Sequence, residues 1–153
     1  FNRCWPIIHE QHPDLKFYLA GRNAPDWFEK LIRKDGVIYL GEINDAYDFI
    51  NSKAIMVVPL FSGSGMRIKI IEGMAMGKTI IATPLAAAGI GATDGENILI
   101  AQNEEDFEHC MRLCLEEPER VKQIGKKAAA FARANFDNGQ LAANLLNLYQ
   151  KLA

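Results

Sequence analysis

Between Ala54 and Thr93 the chain carries only four charged residues, Arg67, Lys69, Glu72 and Lys78, and three of these fall within six positions. They follow directly on a glycine loop, Phe61-Ser62-Gly63-Ser64-Gly65-Met66. A glycine loop that opens a helix offers free backbone N–H groups and the positive end of the helix dipole to an anion, a phosphate above all. Gly63 and Gly65 permit close backbone approach, and Arg67 can add a two-pronged contact to phosphate oxygens. The same residues also fit a tight turn into a helix, with Arg67 and Lys69 merely solvated. Glu72 sharpens the case. Its helical neighbours at −4, +3 and +4 are Ile68, Ala75 and Met76, and only Lys69, at −3, offers a partner. A carboxylate on so apolar a helix is costly unless something satisfies it. A ribose diol does so, because two hydroxyl donors can meet two carboxylate oxygens. The alternative is a Lys69–Glu72 ion pair at helical spacing, which accounts for the charge but not for its place in an apolar segment.

Short apolar strands separated by helices must position these residues. Lys16–Ala20, Val37–Leu40, Ile55–Val58, Thr79–Ala82 and Ile98–Ala101 read as strands. Helical patterns precede the first, with Phe1, Trp5 and Ile8 on one face. They recur after Pro25-Asp26 (Trp27, Phe28, Leu31, Ile32), around Ala46–Ile50 and from about Arg67 to Met76. Strands apolar on both faces and alternating with helices predict a parallel sheet covered on both sides, a Rossmann-like α/β domain. The glycine loop then lies at the carboxyl end of the third strand, where open α/β sheets bind ligands. Asn103 is a helix cap followed by Glu104, Glu105 and Asp106, which suit the first turn. Pro118 opens a second helix striped by Val121, Ile124, Ala128 and Phe131. Asp137 or Asn138 starts a third, with Leu141, Leu145, Leu148 and Leu152 on one side.

Other patterns carry less chemistry. Gly77-Lys78-Thr79 looks like the end of a P-loop, but Gly73 is one residue too close, and a helix precedes the motif while a strand follows it. Gly77 is better read as a helix C-cap. His109, Cys110 and Cys114 crowd one helix without a second ligand cluster, so they read as packed thiols and no metal is expected. Glu42, Asp45 and Asp48 read as a solvated helix start. The Gly41-Glu42-Ile43 corner and Arg22 both follow strands, where they could touch a ligand.

Length and composition set the frame. The 153 residues make one domain, 49% hydrophobic and 24% charged, as in a soluble globular chain. A net charge of −2 and the lack of a basic run argue against a nucleic-acid binder. The longest uncharged stretch, Thr79–Thr93, is broken by Pro84 and glycines and is too short to span a bilayer. No apolar run follows a basic start, and three cysteines suit reduced thiols in the cytoplasm. The pattern opens in mid-helix, which reads as a domain excised from a longer protein.

The run from Val57 to Thr83, and within it Glu72-Gly73-Met74-Ala75-Met76-Gly77 before a strand, resembles the donor-site segment of GT-B glycosyltransferases of group 1. Pro13 through Gly21, the Gly41 corner and the helices after Asn103 extend the likeness to nearly the whole chain. The resemblance implies the C-terminal half of such an enzyme: a three-layer Rossmann-like domain, truncated at its N-terminus, that binds a nucleotide-diphosphate sugar. That molecule is a substrate, and no cofactor is implied. By position Glu72 matches the glutamate that holds the ribose hydroxyls. The amides around Met66, Arg67, Ile68 and Lys69 match the diphosphate cradle, with Gly63, Ser64 and Gly65 before it. Ile43 matches a backbone contact to the base. A second family glutamate, eight residues before Glu72, is replaced by Ser64, which bears on the donor sugar. The acceptor-binding domain, a first strand and a basic loop would precede Phe1, and any membrane contact would go through that half. The family expectation is a cytoplasmic enzyme of polysaccharide biosynthesis. A non-catalytic nucleotide-sugar binding module and a fragment of a nucleotide-sugar epimerase are the alternatives. Because the first strand of a doubly wound sheet is central, Lys16–Ala20 and Ile55–Val58 are expected not to pair directly.

Overall fold

A computed structural model describes residues 3–137 and positions 139, 142, 146, 149 and 150. The elements run α1 (Cys4–Gln11), β1 (Phe17–Leu19), α2 (Asp26–Ile32), β2 (Val37–Tyr39), α3 (Ala46–Asn51), β3 (Ile55–Val58), α4 (Ile68–Ala75), β4 (Thr79–Ala82), α5 (Pro84–Ala87), β5 (Leu99–Ile100), α6 (Glu104–Glu116) and α7 (Pro118–Phe136). The expected strands and helices appear in order, with β1, β2 and β5 one or two residues shorter than read. The leucine stripe Leu141, Leu145, Leu148 and Leu152 lies outside the described residues, as does Phe1.

Local chemistry sets the boundaries. Asn103 accepts a hydrogen bond from Asp106 N at 2.9 Å and caps α6 above three carboxylates in the first turn. Asp45 caps α3 through Tyr47 N and Asp48 N at 2.7 and 3.2 Å. At the end of α4, Gly77 takes φ +73, its N–H reaches the Met74 carbonyl, and Lys78 N reaches that of Gly73. This paired closure is a Schellman motif, so Gly77-Lys78-Thr79 ends a helix rather than cradling a phosphate.

Among the described residues all pairings are parallel, in two sheets of order β1-β2 and β3-β4-β5. β1 and β3 do not pair, as expected. The three-stranded sheet is the centre of the core, and every residue of β4 is buried. Its alternating side chains feed two layers. Ile81, Leu99, Ile55 and Val57 pack with α1 and α6, among them Cys110 and Cys114. Ile80, Ala82, Met56 and Val58 pack with α4, α5 and the second half of α7. Here α7 closes tightly on α4: a Cβ at Gly125 would stand 2.2 Å from the Gly77 carbonyl oxygen.

The stripe expected on α2 is only partly used. Ile32 is buried, but Trp27 is 68% exposed and Leu31 is at the surface. The cause is the division of the sheet. β1 and β2 form a narrow ribbon with no fully buried residue, so α2 has little surface to cover. The short helix α5 lay inside a stretch read only as uncharged. It is set by Thr83, whose hydroxyl accepts from Ala86 N, and by Pro84 in the first turn.

Candidate functional site

The glycine loop leaves the carboxyl end of β3 and turns into α4. Gly63 and Gly65 have φ of +119 and +81, backbone states that exact a steric cost from any side chain. The base of the loop is fixed by Thr83, which is 3% exposed. Its hydroxyl donates to the Leu60 carbonyl, and its N–H donates to Val58 O at 3.3 Å. The signal for this anchor was in the sequence, a Thr-Pro pair directly after a strand, but nothing there pointed back to Leu60.

Arg67 folds back on the loop that precedes it. Its Nη1 donates to the Ser64 carbonyl at 2.5 Å and to the Gly65 carbonyl at 2.9 Å. Its Nε is buried without a hydrogen-bond partner. Nη2 would lie 2.8 Å from a Cβ at Gly63, so a side chain there would displace the guanidinium as well as strain the backbone at φ +119. The Arg67 carbonyl receives Ile70 N at 2.9 Å and begins the helix. Around this clasp Gly63, Ser64, Gly65, Met66 and Ile68 are all exposed.

Lys69 and Glu72 lie one turn apart on α4, with Nζ to Oε2 at 2.6 Å. The ion pair weighed from the sequence is therefore formed. Its side chains are 60% and 39% exposed, so the carboxylate is reachable from solvent and the pair adds only a few tenths of a kcal/mol to stability. Ile43 and Lys69 share a cavity of about 630 Å³ between the two sheets, whose walls include Tyr18, Phe49 and Val57. Arg22 stands apart from it. It pairs with Glu42 at 2.8 Å, tying the ends of β1 and β2, which are already joined by Gly21 N to Gly41 O and by Tyr39 Oη to Gly21 O. The structure thus gathers Gly63, Ser64, Gly65 and Arg67 in one cluster, links Lys69 to Glu72, and brings Ile43 to the Lys69 side of the cleft.

The thiols do different work. Burial pushes Cys110 up to about 11 and Cys114 to about 12, and it raises Cys4 as well. Cys110 and Cys114 stay protonated in the core, as packed apolar groups. Among the described residues no three His, Cys, Asp or Glu side chains stand close enough to hold a metal ion. No helix among them is long and apolar enough to cross a membrane.

The arrangement has known counterparts. A 44.6 kDa protein in the cps region of Klebsiella pneumoniae is 24% identical over 94% of this chain and 39% of its own length. The crystal structure of HepE from Anabaena with UDP and glucose superposes with a TM-score of 0.78 at 19% identity, over 93% of this chain and 43% of HepE. A glycosyltransferase from Rickettsia africae gives 0.80 at 17% identity, over 94% and 42%. The chain spans about two fifths of these relatives, and at such identities the superpositions establish the fold alone, a Rossmann-like α/β domain. The family model for group 1 glycosyl transferases matches residues 1–117, which include the whole loop, the clasp and Glu72, and the chain therefore belongs to the group 1 glycosyltransferases.

Proposed function

We propose that this chain is the donor-binding domain of a glycosyltransferase that moves a sugar from a nucleotide-diphosphate sugar to an acceptor. The observation that carries the reading is the glycine loop at the end of β3 leading into α4, with a solvent-reachable Glu72 one turn beyond Lys69. The loop amides and the start of α4 hold the diphosphate, where N–H groups and the helix dipole favour negative charge. Glu72 exchanges or shares its Lys69 partner for the ribose hydroxyls. Ile43 lies beside the base, while Arg22, paired with Glu42, stands outside this cavity. Ser64, in place of a carboxylate, leaves the donor-sugar side of the loop uncharged.

The similarity to HepE, whose crystal structure contains UDP, supports a nucleoside diphosphate as the ligand. The acceptor domain is assigned to the N-terminal part of the full-length protein, and any membrane contact to that part too. A cytoplasmic site suits the three free thiols. Calorimetric titration with UDP, GDP and dTDP, with amide chemical shifts read from Gly63 to Glu72, tests the binding. At least one nucleotide gives heat and shifts in this segment. No heat and no shift with any of the three refutes the donor-site reading. Transfer of a labelled sugar by the full-length protein, rather than interconversion of the free donor, then separates a transferase from an epimerase.

A further inference from the structure

The sequence offers Arg67 as a direct phosphate ligand, but the structure commits its guanidinium elsewhere. Nη1 is spent on the Ser64 and Gly65 carbonyls, Nε is buried, and Nη2 occupies the space above Gly63. An arginine seeking solvent or a distant anion has no reason to bury an unpaired Nε, which costs free energy. The side chain is instead packed under the loop as part of its framework.

That placement controls where the loop amides point. In a trans peptide the C=O of one residue and the N–H of the next point in opposite directions. No cis peptide occurs among the described residues. With the Ser64 and Gly65 carbonyls gathered on the guanidinium, the N–H groups of Gly65 and Met66 are turned away from it, and both residues are exposed. Successive backbone N–H groups presented by a turn can together hold an anion. The positive φ values at Gly63 and Gly65 make this curl of the chain accessible, but glycine alone leaves it mobile. The two carbonyl bonds fix it.

We infer that Arg67 is a positioning residue, whose guanidinium clasps the Ser64 and Gly65 carbonyls and so aims the Gly65 and Met66 amides at the diphosphate of the donor. The inference rests on the donor-site reading for its ligand, whereas the clasp itself is made by the chain's own atoms. Lysine does not replace it: both bonds leave Nη1, and that nitrogen is held in place by the plane of a guanidinium whose Nη2 lies against Gly63 and whose Nε is buried, none of which a freely rotating ammonium supplies. A direct phosphate contact, by contrast, survives Arg67→Lys in good part.

The test uses Arg67→Lys and Arg67→Ala in the full-length protein. Hydrogen exchange of residues 62–67 is measured without nucleotide, with Ile80 and Ile81 of the buried strand as the internal report on folding. UDP affinity is measured in parallel. The clasp predicts that both variants speed exchange in the loop by about tenfold or more while Ile80 and Ile81 stay protected, and that both weaken UDP by about tenfold or more. Unchanged loop exchange in both variants overturns it, as does Arg67→Lys binding UDP within about threefold of the parent. If Arg67→Ala exposes Ile80 and Ile81, Arg67→Lys alone decides by the same two readouts. If the parent binds none of UDP, GDP and dTDP but its variants loosen the loop, the clasp stands and the donor-site reading falls.

Discussion

Glu72→Gln separates the two roles open to this carboxylate, because they differ in which free energy they move. Gln keeps the shape and removes the charge. The Lys69–Glu72 pair is short but lies one turn apart on an exposed face, at 60% and 39% side-chain exposure. Pairs of this kind stabilise a helix by about 0.2–0.5 kcal/mol. For a chain of this size about 1 kcal/mol shifts Tm by roughly 2–4 °C, so Glu72→Gln lowers Tm by no more than about 2 °C. A carboxylate that accepts hydrogen bonds from a ligand is worth about 1.5–3 kcal/mol, or roughly 10- to 150-fold in Kd. The expected outcome is thus a nearly unchanged thermal melt beside a UDP affinity reduced by at least about tenfold, read by calorimetry. A UDP affinity within about twofold of the parent refutes the ribose assignment and leaves Glu72 as the ion-pair partner of Lys69.

Three further outcomes test the frame around the site. Gly125→Ala gains up to about 1 kcal/mol of helix propensity, but its Cβ meets the Gly77 carbonyl at 2.2 Å, and forcing α7 off α4 costs about 1–3 kcal/mol or more. A net loss in the urea midpoint is expected, and an unchanged or raised midpoint refutes the tight helix contact. With Cys110 pushed up to about 11 and Cys114 to about 12, the folded chain keeps protons that unfolded thiols release near pH 9. Stability therefore falls as pH rises from about 9 toward 11, and a Cys110→Ala/Cys114→Ala variant falls less steeply; equal slopes refute it. Phe17 N donates to Gly36 O and Thr83 N to Val58 O, so by alternation the Tyr18 and Val57 amides face the cavity between β1 and β3. Unpaired strand edges recruit further strands, so these amides exchange fast in the 153-residue chain and slowly in the full-length protein; equal rates refute that.

What could be read in the sequence follows from the range of the interactions involved. Asn103 before three carboxylates, and Gly77 between a helix and a strand, declare themselves within four residues, and both caps form where local chemistry places them. The apolar residues on both faces of Thr79–Ala82 likewise foretell a strand buried on both sides. Trp27 and Leu31 have the spacing of a core stripe, yet burial depends on what lies opposite, and the two-stranded ribbon gives α2 little to cover. At the site the same limit applies over a shorter distance. Gly63 and Gly65 permit positive φ but do not require it, so the sequence names Arg67 without saying whether its guanidinium points outward or back. Only the folded loop shows both carbonyls turned onto one nitrogen. A cation next to a glycine loop can therefore serve an anion in two ways, by contact or by aiming the backbone. The choice lies in peptide orientation, which composition and spacing leave free.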